Sequence, residues 1–125
     1  MSVYKGMAND VVLTDANFYE VAPGQLVTLT VVIGDGQAGG TALLLNGVAH
    51  PFTAPGPEPI PGATAGSFLH AHTTVQDINP LTNHTSVTYI LRGGVEDREF
   101  PYAIDVAADK GAARYVIAFI FQEEK

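Results

Sequence analysis

His70-Ala71-His72 is the pair of side chains in this chain best suited to chemistry. Alternate residues of a β-strand share a face, so two imidazoles two positions apart lie on one side, ~6.6 Å apart along the strand. That separation suits two ligands of one Zn²⁺, Cu²⁺ or Fe²⁺, with a third from a neighbouring strand. His50 is the candidate third ligand, if its strand lies beside His70. The competing reading is two histidines on a solvated strand face among Thr and Arg, and the short ligand count favours it.

Other constellations are weaker. Cupin-type barrels use an H-x-H pair, with a Glu shortly downstream and a later His near Pro-x-Gly. Here Gln76-Asp77 stands near the first position and the second motif is missing. Gly34-x-Gly36-x-x-Gly39 after Val31-Val32-Ile33 resembles the start of a dinucleotide-binding fold. Thr28 and Thr30 interrupt what would be a buried parallel strand there, and the required helix would meet Asn46-Gly47 after barely two turns. Loop aspartates (Asp15, Asp35, Asp77, Asp97, Asp109) lack the spacing of a calcium loop. Glu96, Asp97 and Glu99 crowd one loop and take no separate acid and base roles. Ser67 and Ser86 have no nucleophile motif around them, and the sequon Asn83-His84-Thr85 reads as chance.

The elements that must position the histidines are strands. Residues 67–94 read as one long β-hairpin around Asn79-Pro80-Leu81-Thr82-Asn83. In that register Leu69, Ala71, Thr73, Val75, Val87, Tyr89 and Leu91 form a core face, while His70, His72, Thr74, Gln76, His84, Ser86, Thr88 and Arg92 form the solvated one. His84 would then lie ~20 Å from His72. Upstream, Val11–Thr14 reads as a short edge strand, Asp15-Ala16-Asn17 as a turn, and Phe18–Val21 as a continuation. Residues 25–33 form a strand with Val27, Leu29, Val31 and Ile33 on its apolar face. Asn46-Gly47 is a hairpin turn pairing 41–45 with 48–50. Pro51, Pro55, Pro57, Pro59 and Pro61 make 51–66 an extended loop: a crossover between sheets, or an arm onto a neighbouring subunit. Residues 100–107 form a strand whose start lies at an edge because of Pro101, and Asp109-Lys110-Gly111 a turn; Ala107–Ala113 has room for one helical turn. Residues 114–122 form the last strand, apolar on both faces.

Seven or eight strands at roughly ten-residue spacing predict an all-β, two-sheet antiparallel sandwich of immunoglobulin-like look, residues 1–125 forming one domain; a small cupin-like barrel is the alternative. Hydrophobic residues make up 46% of the chain, which excludes general disorder, and there is no cysteine for disulfide or thiolate chemistry. Thirteen acidic against six basic residues give a net charge of −7, and no basic run exists. Nucleic acid and anionic membrane surfaces are therefore not the expected partners. The N-terminus lacks an apolar signal region, so the cytoplasm is the default compartment, although a trimmed chain or non-classical export fits equally. The expectation is a non-enzymatic binding or structural module that self-associates as a dimer or, second, a trimer, with a glycan or protein as ligand and no cofactor. The alternative is a metal-binding protein or metal-dependent enzyme using a divalent transition metal at His70 and His72, with His50.

Overall fold

A computed structural model describes residues 10–78, 81–106 and 111–124. They form nine strands: β1 (Asp10–Val21), β2 (Val27–Ile33), β3 (Ala38–Leu45), β4 (Val48–His50), β5 (Glu58–Ile60), β6 (Phe68–Gln76), β7 (His84–Arg92), β8 (Arg98–Asp105) and β9 (Ala112–Glu123). One sheet runs β1-β9-β6-β3-β4 and the other β5-β2-β7-β8. All pairings are antiparallel except β1 with β9, which run parallel over twelve residues. Each sheet keeps two edge strands, so the architecture is the expected sandwich and not the alternative barrel.

Alternation of side chains decides the core. Val27, Leu29 and Val31 of β2, Leu69, Ala71 and Val75 of β6, Val87, Tyr89 and Leu91 of β7 and Tyr115, Ile117 and Phe119 of β9 are all buried. These are every second residue of each strand, as a two-layer sandwich requires. Asn46 and Gly47 take the left-handed φ angles of 52° and 82° and close the β3–β4 turn as the Asn-Gly pair predicts. The start of β8 does lie on an edge strand.

The long hairpin is not formed. β6 pairs with β3 and β9, whereas β7 pairs with β2 and β8 in the opposite sheet. The face assignment survives and the pairing does not, because a strand with one apolar face alternates identically whether its neighbour lies beside it or across the core. Tyr89 donates to Thr73 Oγ1 at 2.6 Å from sheet to sheet, the same two residues that a hairpin register would set side by side. The connection after β6 is thus a crossing between layers; Asn79 and Pro80 lie outside the described residues.

Residues 34–37 make a second crossing, from β2 to β3, and this is what the glycine pattern encodes. Asp35 and Gly36 have φ of 59° and 68°, and Gln37 N–H returns to Gly34 O at 3.2 Å. No helix follows; β3 does. Gly39 sits where a Cβ would meet Thr74 O at 2.2 Å, so close strand approach accounts for the last glycine. The buried side chain of Gln37 ties both crossings together, donating to His84 O at 3.0 Å and accepting from Ile78 N–H at 2.8 Å.

Two further expectations change. The Asp15-Ala16-Asn17 turn is continuous strand, because β1 follows β9 throughout. Its polar side chains are satisfied by one hydroxyl on β8: Asn17 donates to Tyr102 Oη at 2.6 Å and Tyr102 donates to Asp15 at 2.8 Å. Residues 51–66 are the crossover rather than an arm. They leave β4 at the edge of one sheet, add β5 to the edge of the other, and bury Ile60 in the core. Pro55 O accepts from Val31 N–H at 2.9 Å, which holds the segment on its own chain. The helical turn considered over 107–113 and the turn at 109–111 fall largely outside the described residues, but Ala112 and Ala113 belong to β9.

Candidate functional site

The outer face of the five-stranded sheet carries the two candidate histidines. Cross-strand register builds it row by row. One row runs Thr14–Val116–His72–Ala42, the next Ala16–Ala118–His70–Leu44–Ala49, and the next Phe18–Ile120–Phe68. Val12, Arg114 and Thr74 bound the face at one end; Glu20 and Gln122 bound it at the other. Apart from the imidazoles, its centre bears no titratable group. Phe18 is 55% exposed, Phe68 39% and Val12 58%, so one face carries several exposed large apolar side chains.

These residues lie outward for a plain reason. β9 has aromatic and branched residues at every position from 115 to 121 except Ala118, so whichever set faces the core, the other is apolar too. Tyr115, Ile117, Phe119 and Phe121 are buried, and Val116, Ala118 and Ile120 are half-buried on the opposite side. Of residues 51–66, 58–60 join the edge of the other sheet, and Gly66 N–H donates to Phe121 O near the end of β9 at 2.9 Å.

His70 and His72 share the face, half-buried and exposed, with ring centroids 6.3 Å apart and nearly perpendicular; Phe68 stacks edge-on against His70 at 5.4 Å. His50 does not join them. It pairs with Leu43, a core residue, so it points to the opposite side of the sheet, where its Nδ1–H donates to Pro51 O at 2.8 Å. Among the described residues no group of three His, Cys, Asp or Glu side chains is disposed to hold a metal ion. A single chain therefore offers the H-x-H pair as two ligands.

The fourth histidine is placed quite differently. His84 begins β7 opposite Asp105 on β8, and its Nδ1 is hydrogen-bonded to that carboxylate. Nε2 lies 3.8 Å from Asp35 in the β2–β3 crossing. The Asp105 bond, helped by the Asp35 charge, raises the imidazole pKa above its ordinary value. Sequence reading grouped His84 with the solvated face and missed its acids, which only the β7–β8 register brings within reach.

Buried hydroxyls were also invisible to motif reading. Tyr89 reaches Thr73, which bonds Thr41 at 2.9 Å. Tyr115 meets Thr85 at 2.6 Å, and Thr85 donates onward to Ile104 O at 2.7 Å. Tyr19 donates to Glu96 O at 2.7 Å and accepts from Gly94 N–H at 3.0 Å. Burial raises all three phenol pKa values above the ordinary range. Protonated phenols with satisfied partners act here as ties between layers and loops.

The sandwich edges are closed to strand addition. β4 and β5 have three residues each, β5 contains Pro59, and β8 contains Pro101. On β1, Glu20 O accepts from Val95 N–H at 3.0 Å and Phe18 O from Arg98 at 3.4 Å. At one end, a hollow of about 350 Å³ is lined by Val21–Gln25, Thr64, Ala65 and Glu123. It has no aromatic ring on which a sugar would stack. No family model, curated protein or solved structure matches the chain.

Proposed function

We propose that the protein is a non-catalytic, self-associating β-sandwich module whose outer five-stranded face mates with the same face of a second copy. The observation that carries this reading is the wet apolar surface of Phe18, Phe68, Ile120, Val116 and Ala118, with charge confined to its two ends. Fully burying one large apolar side chain is worth roughly 1.5–3 kcal/mol, so a solvated face of this kind is expensive. A flat partner suits it better than an extended peptide, which would need an open edge. The flat partner that matches it in chemistry is its own copy. A two-fold axis lying in the interface and crossing the strands would turn the Arg114 end of one face toward the Glu20 end of the other. Symmetric dimers are also the commonest closed assemblies, with a trimer second.

The five strands span roughly 19 Å and the three apolar rows roughly 13 Å, about 250 Å² in plan. That is less than the ~800 Å² per partner of a standard interface, so the dimer should be reversible and concentration-dependent. Immunoglobulin-like describes the general look of two packed sheets of short strands and goes no further. A glycan is the second ligand class: the end hollow lacks a stacking ring, whereas a smaller one beside the face is lined by the exposed Phe18 with Glu20, Glu96, Arg98 and Gln122. Light scattering over a micromolar concentration series tests the reading. Mass rising from 13.2 kDa toward twice that value is expected, and Ile120→Glu should hold it at the lower value while circular dichroism stays unchanged. A constant monomer mass refutes self-association, and unfolding of the variant would mean that Ile120 belongs to the core.

A further inference from the structure

The H-x-H pair sits in the middle of the surface proposed to pair with itself. An in-plane two-fold axis that crosses the strands keeps each strand opposite its own copy, running in reverse. β6 then faces β6, and if the axis passes near His70 and His72, the two histidine pairs confront one another. Packed sheets lie about 10 Å apart, a gap that imidazoles reaching in from both sides can close. Each chain supplies two ligands with rings 6.3 Å apart, and among its described residues it supplies no cluster of three. Two chains supply four, the number that a closed tetrahedral site takes.

We infer that two copies of the protein form an inter-subunit site for a divalent transition metal, with His70 and His72 of each chain as ligands. All-nitrogen imidazole donors select borderline ions such as Zn²⁺, Ni²⁺, Cu²⁺ or Co²⁺ over Mg²⁺ or Ca²⁺. Metal–nitrogen bonds of about 2.0–2.1 Å require the two rings to turn and close from their centroid separation of 6.3 Å. The surroundings favour such a site. Val116, Ala118, Ala42 and Leu44 flank the pair on both neighbouring strands and would exclude water from the closed interface. The inference rests on the proposed pairing of the outer faces, and it explains why histidines occupy an otherwise apolar centre: the metal links the two copies, and the apolar rim covers the metal.

The test separates the two ideas. Protein purified without an affinity tag is sedimented at pH 7.5, where free imidazole is mostly neutral, first with EDTA and then with increasing ZnCl₂. CoCl₂ replaces zinc for a parallel absorbance titration. The expected result is a weak dimer in EDTA, at least 10-fold tighter dimerisation with zinc, saturation at one metal per two chains, and the visible bands of tetrahedral cobalt. The His70→Ala/His72→Ala double variant and the single His72→Gln variant should lose the zinc response, each measured against its own dimerisation in EDTA. A dimer in EDTA that ignores both metals overturns the metal site and leaves the pairing intact. Monomers under every condition overturn both. One metal per chain with no change in mass, or an undiminished zinc response in the double variant, also overturns the shared site.

Discussion

The two outer faces of this sandwich are built on the same alternation and the same core, yet they differ in kind. On the four-stranded sheet the outward positions of the paired strands are Thr28, Thr30, Val32, Pro59, His84, Ser86, Thr88, Ile90, Arg92, Glu99, Pro101, Ala103 and Asp105. Threonine keeps the β-branched preference for extended backbone while leaving a hydroxyl in water. On the five-stranded sheet the corresponding positions are filled by Phe18, Phe68, Val116, Ala118 and Ile120, with two histidines at the centre. Strand propensity does not require phenylalanine there, as the threonine-rich face demonstrates. The proposed pairing accounts for the difference: solvent would meet one face and a second copy the other.

The largest expected effect separates inner from outer positions on a single strand. Phe119→Ala removes a fully buried ring that packs against Tyr89 and Phe100, and chemical denaturation should show a loss of about 3–5 kcal/mol. Its neighbour Ile120, changed to Ala, should cost the monomer under about 1 kcal/mol and show its effect in association instead. Equal monomer losses at both positions would erase the distinction between the faces. The next effect is a transplant. Phe18→Thr with Phe68→Thr makes the apolar face resemble the other one, and dimerisation should weaken at least 10-fold in sedimentation, with no fall in the monomer's unfolding midpoint.

Tyr89→Phe leaves the aromatic packing but strips the hydroxyl from the Thr73–Thr41 chain. About 1–3 kcal/mol of stability should be lost, with no change in dimerisation. A smaller effect concerns pH. The Asp105 bond raises the folded-state pKa of His84 above the unfolded value near 6.5, so its contribution is complete below that pH and fades as pH rises through the raised value. Asp105→Asn should flatten this part of the pH dependence of the melting temperature, and an unchanged slope would remove His84 as its source. Smallest of all, Val32→Ser on the threonine-rich face should leave both stability and association within about 0.5 kcal/mol of the parent.

Much of this fold is written in period-two patterns. The inner residues of β2, β6, β7 and β9, the Asn46-Gly47 turn and the edge position of Pro101 follow from local rules. Partner choice is not local. Residues 69–75 and 87–91 present the same alternation whether they pair in a ladder or face each other across a core, so the hairpin reading and the observed crossing are indistinguishable along the chain. Asp15 and Asn17 look like a turn because the rule has no access to Tyr102, 85 residues from Asn17, which satisfies them. At the candidate site, spacing alone puts His70 and His72 on one face. It could not exclude His50, whose side of the sheet depends on pairing with Leu43. Nor could it bring His84 to Asp105 and Asp35, which are joined by tertiary register.

The most direct measurement of whether the apolar face meets its own copy uses the absence of cysteine from the chain. A single Ala118→Cys variant places a thiol at the centre of that face, and Thr30→Cys places one on the threonine-rich face. Both are treated at micromolar concentration with a bis-maleimide spanning about 10 Å, the spacing of packed sheets. Face-to-face pairing predicts rapid cross-linking of Ala118→Cys to twice 13.2 kDa and only slow, collisional linking of Thr30→Cys. Equal rates for the two variants, or faster linking through position 30, would contradict it.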